Sequence, residues 1–203
     1  MVYSLDNKLL EKIYLQMNFI RNTELMIAKE YKNQEMRCPT HLSVGQEIVP
    51  AIYSLLVKKN DFAVSTHRGH AHYLAKKGNI NKMIAEIYGK SSGCAKGKGG
   101  SMHLIDLNVN FMGTSAIVGN SIPLGVGLGL SLKLKKKKNI STIFFGEGAT
   151  EEGVFYESLN FAALKNLPVL FICENNFYSV YSPLGVRQSQ LRSNIKIANS
   201  LGI

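Results

Sequence analysis

Cysteine is scarce in this sequence: Cys38, Cys94 and Cys173 are three among 203 residues. An odd count with no CxxC pair excludes a disulfide framework and a zinc ribbon. Cys173 ends an apolar run and reads as a buried thiol. Long apolar runs are missing too. The least polar stretch, residues 116–132, contains Asn120, Ser121 and Pro123, and it falls short of the roughly 20 residues that a membrane span needs. Asp6, Lys8, Glu11, Lys12 and Arg21 interrupt residues 1–25, so no secretory leader is legible there. The expectation is a soluble, cytoplasmic chain of ordinary globular composition, large enough to bury the core of one domain.

Acidic residues are also in the minority, 14 against 24 lysines and arginines, which leaves a net charge of +10. Much of the excess sits in Lys133, Lys135, Lys136, Lys137 and Lys138 and in the pairs Lys58-Lys59 and Lys76-Lys77. Nucleic-acid binding would want these charges interleaved with aromatics or set on one helix face. The lysine run instead lies between two apolar segments and reads as an exposed connection. Attraction to an acidic partner or an anionic substrate remains as a use for the charge.

Leu10, Ile13, Met17, Ile20, Ile27 and Tyr31 recur at helical spacing, with Glu24 the one polar break. They predict an amphipathic helix over residues 6–32. Further helices are expected at 47–57 and 81–88, and a short strand at 62–65 that runs into Thr66-His67-Arg68-Gly69-His70. Residues 91–101 hold four glycines, which makes them a linker or a place where backbone approaches a ligand closely. Residues 124–134 alternate apolar side chains with Gly125, Gly127 and Gly129. The alternation suggests a strand, but the glycines and Pro123 favour a helix with a closely packing glycine face.

Residues 141–145 predict a strand that ends at Gly146-Glu147-Gly148. A helix is expected over 150–165, with Thr150 as its N-cap. A second apolar strand, 169–173, then runs into Glu174-Asn175-Asn176. Strand, helix and strand with short connections make a parallel pair, so Glu147 and Asn176 come to one crevice at the carboxyl ends of the strands, where open α/β sheets bind ligands. Glycines flanking Glu147 admit a bulky anion, and a carboxylate with a carboxamide oxygen suits Mg²⁺ bridged to phosphate. The bland alternative is a βαβ unit with an incidental acidic turn.

Gly146-Glu147-Gly148, 26 residues, then Asn175-Asn176 resembles the thiamine-diphosphate motif. The run FFGEGATEEGVFYESLNFAALKNLPVLFICENNFYSVYSPLGVRQ resembles the E1 component α subunits of pyruvate and acetoin dehydrogenases. So do HLSVGQE, STHRGHAH, GCAKGKGGSMH and AIVGNSIPLG, in order along essentially the whole chain. The resemblance implies an α/β fold with a parallel sheet flanked by helices: one diphosphate-binding domain over residues 1–203, incomplete at its C-terminus. It implies thiamine diphosphate and Mg²⁺ as cofactors. Glu147, Asn176 (amide oxygen) and Tyr178 (backbone carbonyl) would hold the metal. Gly148, Ala149, Ala116, Val118, Arg68 and His67 would contact the cofactor, and His41 would face the substrate carboxylate or the developing intermediate. The implied partners are an E1 β subunit in an α2β2 heterotetramer, which carries the cofactor-activating glutamate, a lipoyl-bearing E2 acyltransferase, and a small 2-oxo acid.

One departure stands out. Glu147 occupies the place of the family's usual aspartate, and the extra methylene displaces the carboxylate by roughly a bond length at a metal that wants ligands near 2.1 Å. The competing readings are an acetoin dehydrogenase subunit and a non-catalytic, partner-binding relative that has lost metal binding. A metal site at His67, His70 and His72 matches no helical i/i+4 zinc pair, and Gly125-Val126-Gly127-Leu128-Gly129 lacks the nicotinamide-fold spacing.

Overall fold

The computed structural model describes residues 6–203; residues 1–5, part of the stretch read above for a leader, lie outside it. Two compact units make up the chain. One comprises the described residues up to Asn60 together with His67–Thr114, and the other comprises Asp61–Thr66 with Ser115–Ile203.

The first unit is mainly helical. Helix α1 (Asn7–Tyr31) starts at Asp6, whose carboxylate accepts the Lys8 amide at 3.3 Å, a short polar side chain satisfying one free N–H of the first turn. Its buried face is Ile13, Ile20, Thr23, Glu24 and Ile27, whereas Leu10 and Tyr31 of the predicted stripe lie exposed. Helices α2 (Ile48–Leu56) and α3 (His70–Ala75) pack against α1 and each other. All six residues of α3 are buried. Lys76, just after it, is buried too and donates to the carbonyls of Lys58 (2.8 Å) and Lys59 (2.9 Å). That lysine therefore holds the end of the α2 connection and adds nothing to the surface charge. Helix α4 (Ile80–Ile87) is capped by Asn79. The segment closes with strand β2 (Phe111–Ser115), numbered after β1 (Phe62–Thr66) of the second unit.

The second unit is built on parallel strands. Strand β3 (Ser141–Gly146) lies between β1 and β4 (Val169–Glu174), with Phe62 opposite Ser141 and Gly146 opposite Glu174. Residues 141–145 are buried throughout, as a central strand of a parallel sheet is, with Ser141 and Thr142 as buried polar members. Helix α5 (Ser121–Leu134) lies across these strands. A Cβ at Gly125 would collide with Ile143 and stand 2.8 Å from Val64 Cγ2, and one at Gly129 would collide with Val169, so these two glycines let the helix sit close. Gly127 faces open space. The expected glycine face is real at two of its three positions.

Helix α6 (Gly153–Leu164) connects β3 to β4. Thr150 is not its N-cap: its hydroxyl donates to the Glu147 carbonyl at 2.6 Å inside a single 3-10 turn, Glu147–Glu151, and α6 begins only at Gly153. Beyond β4 come a small hairpin, β5 (Tyr178–Ser179) and β6 (Ser182–Pro183), then α7 (Leu184–Arg187) and α8 (Asn194–Ser200). Cys173 is exposed, not buried, because it lies near the end of β4, whose other strand neighbour is absent among the described residues. The lysine run 135–138 is exposed, as its composition indicated. No helix among the described residues is long and apolar enough to cross a membrane.

Candidate functional site

The register of β3 and β4 brings the Gly146-Glu147-Gly148 turn and the Glu174-Asn175-Asn176 turn out of the sheet side by side, since Gly146 pairs with Glu174. Glu147 is only 2% exposed. A carboxylate with so little contact with water needs a partner, and it has one in Arg187, whose Nη2 lies 2.6 Å from Glu147 Oε1. The same guanidinium reaches Glu151 through Nη1 and the Ser182 carbonyl through Nε at 3.1 Å. Gln188 adds a bond to Glu151 Oε1 at 2.8 Å. The segment that carries β5, β6 and α7 is thereby fastened over the 3-10 turn. Arg192 fastens it further, donating to the Thr150 carbonyl and hydroxyl.

Asn176 Oδ1 accepts the Tyr178 amide at 3.0 Å, and Asn175 Oδ1 accepts the Phe177 amide at 2.9 Å. The two asparagines shape the turn locally, and Asn176 and Tyr178 remain exposed. Gly148 has Ser179 above it, 3.0 Å from where a Cβ would stand, while Ala149 is buried. The turn that holds Ala116 and Val118 lies beside the start of α6: a Cβ at Gly119 would stand 3.3 Å from Glu152 Cγ and 3.5 Å from Val154 Cγ1. Val118 is half exposed. Glu147, Gly148, Ala149, Ala116, Val118, Asn176 and Tyr178 thus all belong to the second unit. Arg187 and Gln188 were not singled out in the sequence, because a long-range ion pair leaves no local spacing signal.

His41, His67 and Arg68 belong to the first unit. The rings of His41 and His67 meet edge to face, centroids 4.7 Å apart. Burial, followed by the charge of Arg68 and by His70, lowers the pKa of His41. Burial, His41 and Arg68 do the same for His67. Both rings are therefore held toward the neutral form. Arg68 donates to the Leu42 carbonyl, next to His41. On the far side of this loop Arg21 grips Glu47 with two bonds of 2.5 and 2.8 Å, and Glu47 also accepts the Gly45 amide at 2.8 Å. His70 is not arranged as a metal ligand: its two ring nitrogens lie against Glu24 (3.1 Å) and Ser101 (2.8 Å). Among the described residues no three His, Cys, Asp or Glu side chains are grouped to hold a metal.

The glycine-rich loop has a definite shape. Glu86 is fully buried, and its carboxylate accepts the amides of Ala95 (2.7 Å), Gly97 (2.8 Å), Gly99 (2.6 Å) and Gly100 (3.2 Å). The backbone here closes around a carboxylate of its own chain. A side chain at Gly93 would strike that carboxylate, and one at Gly99 would strike the His103 carbonyl.

The dehydrogenase E1 component family matches residues 15–203. The α subunit of acetoin:2,6-dichlorophenolindophenol oxidoreductase from Bacillus subtilis is 42% identical over 171 residues, 84% of this chain and 51% of that protein. The pyruvate dehydrogenase E1 component subunit alpha of Rickettsia typhi is 38% identical over 192 residues, 95% of this chain and 59% of that protein. Its mitochondrial counterpart in Chaetomium thermophilum is 37% identical over 180 residues, covering 88% of this chain and 43% of that protein. The chain spans about half the length of these curated relatives.

Proposed function

The chain belongs to the dehydrogenase E1 component family, and from that membership we propose that it acts as an α-type subunit of a thiamine-diphosphate-dependent 2-oxo acid dehydrogenase of the pyruvate dehydrogenase kind. The observation that carries this reading is the pairing of Gly146 with Glu174, which sends Glu147 and Asn176 out of adjacent parallel strands at one edge. This placement supports a role for the acidic turn beyond closing a βαβ unit.

The donor set fits Mg²⁺. Glu147, the Asn176 amide and the Tyr178 carbonyl are hard oxygen donors, few enough to leave room for phosphate oxygens and water. Arg187 binds one carboxylate oxygen of Glu147, so it steadies the carboxylate that would face the metal. When bound, thiamine diphosphate supplies the nucleophilic carbon for decarboxylation of the 2-oxo acid and transfer of the acyl unit to a lipoyl group. The protein's part is positioning. Glu147, Asn176 and Tyr178 would hold the metal that anchors the cofactor. Gly148, Ala149, Ala116 and Val118, all in the second unit, would contact the cofactor. In the first unit, the neutral rings of His41 and His67 offer hydrogen bonds, and Arg68 offers a charge that stays ionised. These three suit an anionic group, with His67 and Arg68 assigned to diphosphate and His41 to the substrate carboxylate. An E1 β subunit, in an α2β2 assembly, and a lipoyl-bearing E2 acyltransferase complete the proposal.

The 42% identity to an acetoin oxidoreductase subunit keeps acetoin as the alternative substrate within the same family. The ion pair on Glu147 favours a second reading, a partner-binding relative in which Arg187 has replaced the metal. A thermal melt separates them. With an E1 β subunit present, thiamine diphosphate and Mg²⁺ should raise the melting temperature, because a ligand at a hundred times its Kd stabilises by about 2.7 kcal/mol. No shift in the complex would overturn the enzyme reading in favour of the partner-binding one.

A further inference from the structure

Glu24 is the one polar residue that breaks the apolar stripe of α1, and it is fully buried. A buried carboxylate costs free energy unless its oxygens are satisfied. Glu24 satisfies them on two separate segments: Oε1 accepts the Ser43 amide at 3.2 Å, and Oε2 lies 3.1 Å from His70 Nδ1. The other ring nitrogen of His70 lies 2.8 Å from Ser101 Oγ. His70 and Ser101 have no exposed surface.

The chain of groups Glu24, His70, Ser101 has the polarity of a hydrolase triad, but Ser101 is sealed from any substrate, so a nucleophilic role is excluded. The connections point elsewhere. Ser43 follows His41 by two residues, and His70 follows Arg68 by two and His67 by three. Arg68 in turn donates to Leu42, between His41 and Ser43. One carboxylate thus ties down both segments that carry the imidazole pair and the arginine.

We propose that Glu24 is a positioning residue: it fixes His70 as the Nδ1–H tautomer and holds the His41 loop and the His67–Arg68 segment in register. With Glu24 accepting on both oxygens, Nδ1 carries the proton and Nε2 accepts the Ser101 hydroxyl. The proposal rests on the α-type E1 reading only in the turnover arm of its test.

The test uses the chain labelled with ¹⁵N-histidine, whose five histidines give a tractable long-range ¹H–¹⁵N spectrum. Wild type is expected to show His70 protonated at Nδ1. In Glu24→Gln the amide oxygen can accept from Ser43 only if its NH₂ faces His70, which inverts the ring to Nε2–H and shifts the His41 and His67 resonances. Glu24→Asp keeps an acceptor and should keep the tautomer. Should Glu24→Gln fail to fold, Ser101→Ala asks the same question from the other end. It leaves Glu24 on Nδ1, so an Nε2–H ring there would overturn the proposal. In the complex with an E1 β subunit, kcat is expected to fall about 10²-fold in Glu24→Gln, the cost of misplacing groups by about 1 Å, and to recover in Glu24→Asp. An inverted tautomer with unmoved His41 and His67 resonances, or an uninverted one, overturns the positioning role. Absence of turnover in the wild-type complex counts against the enzyme reading instead and leaves the spectra to decide.

Discussion

At the scale of the residue, three buried glutamates, Glu24, Glu47 and Glu86, organise the first unit, and only Glu24, the break in the α1 stripe, is marked by its spacing in the sequence. Glu86 collects four backbone amides of the glycine-rich loop. Glu86→Gln offers one acceptor oxygen in place of two and turns an NH₂ group toward N–H donors. At about 1–3 kcal/mol for each buried group left unsatisfied, the variant should lose at least about 3 kcal/mol, read as a lower urea midpoint at unchanged slope. The histidines give a pH signature. Burial holds His41 and His67 below the ordinary value of 6.5, so the folded chain binds fewer protons than the unfolded one as the pH falls past that value. Their contribution is intact above pH 6.5 and is lost as the pH drops from there through the lowered folded values. Urea midpoints should fall across this window, and His67→Asn should flatten the dependence. Glu47 acts lower on the scale. The hydrogen bond from Arg21 depresses its pKa, so its contribution is present above 4.5 and disappears as the pH falls through the folded value.

Elements separate what was legible in the sequence from what was not. Helices α1, α2 and α4 and strands β1, β3 and β4 were all readable, because amphipathic period and continuous apolar runs are local signals. Helix α3 was missed: its six residues are buried on every side, so no polar face gives it a period. Thr150 looked like an N-cap, but its hydroxyl is used by the Glu147 carbonyl and the chain spends one 3-10 turn before α6 begins. Helix α5 makes the sharpest element-scale test. Gly125→Ala places a methyl against Ile143 and Val64, and overpacking of this kind costs about 1–3 kcal/mol. Gly127→Ala meets nothing within 4 Å and should gain up to about 1 kcal/mol from helix propensity. Thermal melts of the two variants should move in opposite directions. Equal losses would mean that α5 does not lie on the strands with its Gly125 face.

The chain holds a parallel-strand unit and a helical unit, and it spans about half the length of the curated relatives it matches. The strand-end constellation was legible because βαβ topology forces Glu147 and Asn176 to one edge. The Arg187 contact was not, since residues 40 apart meet only once the hairpin folds back. The extra methylene of Glu147 finds a use there, as the side chain reaches the guanidinium. The most direct test is isothermal titration of thiamine diphosphate, with Mg²⁺, into the complex of this chain with an E1 β subunit. Binding should require Mg²⁺, weaken in Asn176→Ala and be kept in Glu147→Asp. Binding that is indifferent to Mg²⁺ and to Asn176→Ala, or no binding by the wild-type complex, would contradict a metal-held diphosphate site at this strand edge.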